Sequence, residues 1–261
     1  MCKFLKNSIE NEKLFNEFQN YVKKNIISFF SKEMCDKFKL YFDELNKWND
    51  MINLVSLRST RDLIYRHFCD SLYGAKAIIN VLAASNNNMP YFKIVDIGSG
   101  AGMPGIPIKI VLPKVKVTLV DSITKKCKFL KDVATKLKFD ISILNERAEK
   151  IGQNLKYRQQ YDFVLSRAVS KFSPNLEFAI PLLKINGCFI VYKTKQFFED
   201  LESGILSVDN ALQSLRTKFE QAIFYDLPGY KLNYCILVFK KYKSTPIQFP
   251  RRQGIPEKNP L

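Results

Sequence analysis

The residues best suited to chemistry lie in one short stretch, VDIGSGAGMPGIP (95–107), where Asp96 is followed by Gly98, Gly100, Gly102 and Gly105. Glycines this close together let a chain turn sharply after a strand and let a ligand approach the backbone, and a helix that follows offers free N–H groups. Two cofactor chemistries compete for the loop. Gly100, Gly102 and Gly105 have the G-x-G-x-x-G spacing of dinucleotide sites, with Asp121 far enough on to reach a ribose. That fingerprint starts two residues late if the preceding strand ends near Asp96. The carboxylate ahead of the first glycine, in the pattern D-x-G-x-G-x-G, would also repel a pyrophosphate at close range. It suits a cation. S-adenosylmethionine carries an ammonium and a sulfonium and no phosphate, so the carboxylate favours it. Asp121 closes the next apolar run, where a carboxylate can accept both ribose hydroxyls; its plainer role is an acid at a helix start. A bare turn leaves the four glycines between 98 and 105 without a reason.

The elements that position this loop follow from periodicity. Short apolar runs at FKIVDIG (92–98), KVTLVD (116–121), DISIL (140–144), YDFVLS (161–166), GCFIVYK (187–193) and YCILVFKK (234–241) predict buried strands. Helical stretches alternate with most of them, as over 125–138, where Cys127, Leu130, Val133, Ala134 and Leu137 share a face. Strands and helices alternating at this spacing predict an α/β fold with a mostly parallel, Rossmann-like sheet. The chain ahead of it reads as helical. Met34, Phe38, Tyr41, Leu45 and Trp48 recur at three- and four-residue spacing, and a second helix is expected from about Thr60 to Leu82. The polar run from Ser85 to Pro90 reads as a linker. The expected division is a helical region over 1–90, the α/β domain over 91–244, and an extended basic tail over 245–261. Residues 196–220 show helical character and nothing more.

The 261-residue chain has 41 Lys and Arg against 25 Asp and Glu, a formal net charge of +16. Such an excess favours a polyanionic partner, although lysine-rich composition throughout the chain accounts for part of it. The six cysteines are scattered without a C-x-x-C pair, and the one histidine, His67, completes no zinc cluster with them. No metal is expected, and the cysteines read as reduced core residues. No apolar run is long enough to span a membrane and no signal segment is visible. The expectation is a cytoplasmic protein, acting as a monomer.

In order along the chain, YFDELNKWNDMINLVS (41–56), RHFCDSL (66–72), DIGSGAGMPGIP (96–107), LVDSITKKCKFLKDV (119–133), NERAEKI (145–151), LSRAVS (165–170) and FPRRQGIPEKNPL (249–261) resemble the ribosomal RNA small subunit methyltransferase G family, also called GidB. The resemblance covers nearly the whole chain, and RHFCDSL and SRA are its most specific parts. It implies an S-adenosylmethionine-dependent enzyme that methylates N7 of one guanine in 16S rRNA, with the small ribosomal subunit as partner. It places Gly98 and Met103 along the methionine and adenosine side of the cofactor, Asp121 at the ribose, Ala148 and Glu149 beside the adenine, and Arg167 at the junction of cofactor and substrate. Gly100, Gly102 and Asp96 belong to the same cofactor loop. Lys193-Thr194 stands where the family has Lys-Gly, so Thr194 carries a side chain where the family pattern leaves the backbone bare.

Arg167 is the candidate catalytic residue, placed where open α/β sheets bind ligands, at a carboxyl strand end. Its bland alternative is a salt bridge to Asp96 or Asp162. Lys193, Arg251 and Arg252 are the candidate RNA contacts; the lysines at 125, 126, 128 and 131 read either as further phosphate contacts or as a solvated helix face. His67 divides evenly between a packed ring and a ligand contact. Arg66 and Asp70, four apart, are expected to pair along one helix face, and Trp48 to pack in the core. Three other readings compete with an RNA methyltransferase: a small-molecule methyltransferase, a nicotinamide-dependent oxidoreductase favoured only by the displaced G-x-G-x-x-G, and a non-catalytic ribosome-binding factor. Fold alone does not separate them.

Overall fold

The computed structural model describes residues 8–55, 59–84, 91–167 and 171–261. The chain opens with helices α1 (Ser8–Asn25) and α2 (Lys32–Asn49). Ser31 caps α2 by accepting the Met34 N–H at 3.2 Å, the arrangement that satisfies one of the orphan donors of a helix start. A third helical stretch is continuous but not uniform. It begins as α3 (Thr60–Asp62), widens to a π-helix over Leu63–Cys69, and returns to α-geometry in α4 (Asp70–Ala84). Wide turns of this kind recur at functional sites, and this one carries Arg66 and His67 and hands over to Asp70. The expected linker, residues 85–90, lies outside the described residues.

Strands and helices then alternate: β1 (Lys93–Ile97), α5 (Gly105–Val111), β2 (Lys116–Val120), α6 (Thr124–Lys136), β3 (Ile141–Leu144), α7 (Ala148–Gln153), β4 (Tyr161–Arg167), α8 (Phe172–Ala179) and β5 (Leu183–Thr194). Two helices, α9 (Lys195–Glu202) and α10 (Asp209–Leu215), lead into the hairpin β6 (Thr217–Leu227) and β7 (Tyr230–Lys241), and α11 (Ile255–Lys258) lies near the end. The sheet runs β3-β2-β1-β4-β5-β7-β6. Pairing is parallel from β3 to β5, and β7 is antiparallel to both neighbours. The order reverses between β1 and β4, and the crevice beyond the carboxyl ends of the strands there is where such sheets bind ligands.

Two apolar layers cover the sheet. On one face Phe18, Phe38, Leu45 and Phe68 from the first helices join Ile106, Leu119 and Ile190. On the other, Val95, Val164 and Val191 pack with Leu176, Leu215 and Phe249. The helical region that precedes the sheet is therefore one of its covering layers. Two expectations need correction. Residues 196–220 are not helical throughout: Thr217 starts β6, whose alternation is blurred by exposed Phe219 and Phe224. The tail is not a free extended arm: Phe249 is buried, and α11 packs on α8.

Candidate active site

The glycine loop is locked onto the ends of β1 and β2. Ser99 Oγ donates to the Asp96 carbonyl at 2.8 Å and accepts the Val120 N–H at 3.0 Å. Gly98, Gly100 and Gly102 have φ of 68°, 57° and 88°, the left-handed region where a side chain is strained. Gly105 serves by lacking a side chain: a Cβ there would run into Leu119 and lie 3.0 Å from Asp96 Oδ2. Asp96 is fully buried beneath the loop. Its Oδ2 accepts the Gly105 N–H at 2.9 Å, while Oδ1 has no hydrogen-bond partner among the described residues. Burial pushes its carboxyl up to about 7.

Beside the loop lies an open cleft of about 270 Å³, lined among others by Gly98, Asp121, Ile123, Glu146, Ala148 and Glu149. The Asp121 side chain is fixed from both sides, Oδ2 accepting the Gly100 N–H and Oδ1 the Ile123 N–H, each at 2.8 Å. Each oxygen keeps a lone pair for a ligand hydroxyl. The cleft also holds Lys126, Arg147, Phe178 and Glu257. Its ionisable lining is thus Asp121, Glu146, Glu149 and Glu257 against Lys126 and Arg147, an acidic excess within a chain of net charge +16. Of the residues named from the sequence, Gly98, Asp121, Ala148 and Glu149 line this one cleft. Asp96 stands behind the wall, and Met103 lies to the side, facing Arg167.

Arg167 ends β4 in a polar cluster. Nη1 donates to Asp70 Oδ2 at 3.0 Å, and Nη2 to His67 Nδ1 at 3.1 Å and to Met103 Sδ at 3.5 Å. The other Asp70 oxygen accepts the Tyr225 hydroxyl of β6. Burial pushes the Asp70 carboxyl up, opposed by Arg167. A guanidinium can only donate, so His67 Nδ1 is the acceptor and the ring proton sits on Nε2. Burial, then Arg167, holds His67 down at about 3, so the ring is neutral at any ordinary pH. The acid that Arg167 meets is therefore neither Asp96 nor Asp162; Asp162 pairs with Lys184 at 2.6 Å. The expected Arg66–Asp70 pair is also replaced: Arg66 turns to Asp62 at 3.4 Å, because the π-helical turn alters the register and Asp70 faces β4. Tyr41 of α2 donates to the Ala101 carbonyl of the glycine loop, and Tyr192 to the Ser71 carbonyl at 3.0 Å. Trp48 packs edge-on against Phe129 and donates to Asp132 at 2.8 Å. Residues 168–170 of the LSRAVS segment lie outside the described residues.

Of the candidate RNA contacts, Lys193 is the penultimate residue of β5, with its ammonium 4.4 Å from the ring centroid of Phe197 and 5.2 Å from that of Phe172. Burial lowers its pKa. Thr194, where the family pattern has glycine, caps α9 by accepting the Phe197 N–H at 3.2 Å. Arg252 is exposed. Arg251 is engaged elsewhere: its Nη2 and Nε donate to Glu177, a fully buried carboxylate, at 2.7 and 2.9 Å. That pairing ties Arg251 to α8 through Nε and Nη2. Tyr225, Glu177 and Glu257 escaped the sequence reading, since nothing near them in the chain signals their partners. Among the described residues no helix is long and apolar enough to cross a membrane and no cluster could hold a metal ion.

A family model described as rRNA small subunit methyltransferase G, GidB, matches residues 34–219. Proteins named ribosomal RNA small subunit methyltransferase G are similar over most of their length. The one from Acetivibrio thermocellus is 38% identical over 88% of this chain and 89% of its own. The one from Lactococcus lactis is 37% identical over 88% and 92%, and one from Bacillus cereus 34% identical over 94% and 98%. Among solved structures, a Listeria monocytogenes protein assigned to the class I S-adenosylmethionine-dependent methyltransferases superposes with a TM-score of 0.53 at 13% identity, covering 90% of each chain. That likeness concerns the fold.

Proposed function

The chain belongs to the rRNA small subunit methyltransferase G family, and on that footing we propose that it transfers a methyl group from S-adenosylmethionine to N7 of a guanine in 16S rRNA, in the cytoplasm where its ribosomal substrate resides. The observation that carries the cofactor reading is the inversion of charge. In a strongly basic protein, the cleft beside the glycine loop is acidic and has a buried, half-satisfied carboxylate behind it. That combination suits a cationic ligand and disfavours a pyrophosphate. Bound there, S-adenosylmethionine supplies an electrophilic methyl group on a positively charged sulfur.

The chain's own residues do the rest. Asp121 presents two oriented oxygens for ribose hydroxyls. Ala148 and Glu149 border the adenine, and Gly98, Gly100 and Gly102 let the ligand lie against the backbone. Asp96 acts across the loop, where a nearby cation favours its ionised form. Met103 and Arg167 mark the passage from cofactor to substrate. Arg167 is held by Asp70 and His67 and cannot act as a base. None is needed, since guanine N7 has an in-plane lone pair and no proton. The acceleration then comes from positioning and exclusion of water, for which well-oriented approach is worth roughly 7–11 kcal/mol. Arg167 serves best by contacting guanine O6 or a phosphate, leaving N7 free. Lys193 and Arg252 supply further RNA contacts.

The test is to incubate the purified protein with small ribosomal subunits and methyl-labelled S-adenosylmethionine and to analyse the nucleosides. Label in 7-methylguanosine, lost on Asp121→Ala, supports the proposal. Cofactor binding without label on RNA overturns the substrate and turns attention to a small-molecule acceptor.

A further inference from the structure

The C-terminal segment is built into the wall of the cofactor cleft. Arg158, itself buried, donates to the carbonyls of Gly152 at 3.1 Å, Thr245 at 2.8 Å, Pro246 at 2.9 Å and Phe249 at 2.5 Å. Gln153 Nε2 donates to the Pro250 carbonyl at 2.9 Å. Arg251 bridges Glu177 to the Asn259 carbonyl, the latter at 2.9 Å, and Ser173 donates to the Leu261 carbonyl at 3.0 Å. Gly152 has no room for a side chain, since a Cβ would lie 2.8 Å from Pro250 Cγ. The segment is thus fastened to two short helices that also face the cleft. α7 receives the segment at Gly152 and Gln153 and lines the cleft with Ala148 and Glu149; α8 receives it at Ser173 and Glu177 and lines the cleft with Phe178. Between the fastenings at Arg251 and at Asn259, α11, packed on α8 as α7 is, brings Glu257 into the lining of the same cleft as Ala148, Glu149 and Phe178.

We infer that residues 245–261 complete the adenosine end of the cofactor site, and that the Glu257 carboxylate accepts a hydrogen bond from the exocyclic amine of adenine. The inference rests on the cofactor reading given above. Ala148 and Glu149 of α7 set the adenine end, and Phe178, on the helix that packs against both α7 and α11, lines the same cleft. A carboxylate is acceptor-only when ionised, so it selects the amine of adenine over the carbonyl oxygen that hypoxanthine carries at that position. Arg158, Arg251 and Glu177 are positioning residues for this contact.

Calorimetric titration of the full chain with S-adenosylhomocysteine and with its inosine counterpart tests the assignment in wild type, Glu257→Gln and a variant lacking residues 255–261. The wild type is expected to prefer the adenosine ligand. Glu257→Gln, which keeps the shape and can donate to the hypoxanthine oxygen, is expected to bind the adenosine ligand about fivefold more weakly, the scale of one lost charge-assisted hydrogen bond at a wet rim. It should also lose most of the preference between the two ligands. The shortened chain should weaken both. Unchanged affinity in Glu257→Gln, or an equal loss for both ligands, overturns the contact. Unchanged affinity in the shortened chain overturns the wall. A wild type that binds neither ligand overturns the cofactor reading itself, and the inference with it.

Discussion

Asp96 answers to two opposed demands. Buried with one oxygen unpartnered among the described residues, it ionises only at about 7 in the folded protein, against an ordinary value of 3.8. Between those values the native state holds a proton that the unfolded state has released, so its contribution to the stability of the cofactor-free protein falls as pH rises through that window. Asp96→Asn is therefore expected to raise the melting temperature at pH 8 while weakening S-adenosylmethionine binding; scanning calorimetry with and without cofactor checks both, and a lower melting temperature in the cofactor-free variant would refute the account. Binding of the cofactor to wild type should weaken as pH drops below about 7, and this limb should be absent from Asp96→Asn. His67→Gln should retain the limb, because His67 titrates near 3. Arg167 is held by three partners at once, Asp70, His67 and Met103. Arg167→Lys keeps a charge but not the fork. It is expected to lower kcat/KM for ribosomal subunits about 100-fold through misplacement, with cofactor affinity within about twofold of wild type, measured by single-turnover kinetics beside calorimetry. A cofactor affinity that falls with the rate would move Arg167 from the substrate side to the cofactor.

Among the elements, the carboxyl ends of β1, β2 and β4 carry the candidate site, and these were legible in the sequence because each strand is a short apolar run with a polar residue at its end: Asp96 just inside β1, Asp121 just past β2, Arg167 ending β4. What stayed hidden has a common cause. The π-helical turn over Leu63–Cys69 keeps an ordinary helical pattern of apolar residues, so periodicity cannot show that Asp70 faces Arg167 and not Arg66. β6 resembles a helix because apolar and polar residues follow one another without clean alternation over Thr217–Leu227, its shape being imposed by pairing with β7. The tail looked free because its anchors, Arg158 and Glu177, lie far back in the chain. Those anchors set the next expectation. Arg158→Ala leaves the carbonyls of Gly152, Thr245, Pro246 and Phe249 without their donor, and buried groups left unpaired cost about 1–3 kcal/mol each. After partial rehydration a loss of about 3 kcal/mol in urea unfolding is expected, with earlier proteolysis inside residues 245–261. Stability within about 0.5 kcal/mol of wild type would show the latch to be dispensable.

At the scale of the whole molecule, charge is distributed against its own average. The chain carries +16 overall while the cleft beside the glycine loop is acidic. On the proposed function, two ligands of opposite charge are sorted to different surfaces, and salt should separate them. Contacts to RNA phosphates release counterions, so kcat/KM for small subunits is expected to fall by about tenfold or more between 50 and 200 mM KCl. KM for S-adenosylmethionine should change by less than about twofold, because the charges of the cleft lie within a Debye length of the ligand. A parallel fall in both would remove the argument that the surfaces are separate. The helices ahead of the sheet share its core, and the polar cluster at Arg167 joins distant stretches of chain: Asp70, which receives Arg167, is completed by Tyr225, 155 positions later. Contacts of such separation form slowly, since a long loop must close before they stabilise anything. In a refolding experiment the helical signal should return first and methyl transfer last, so that a polypeptide emerging from the ribosome gains most of its core well before it can modify one.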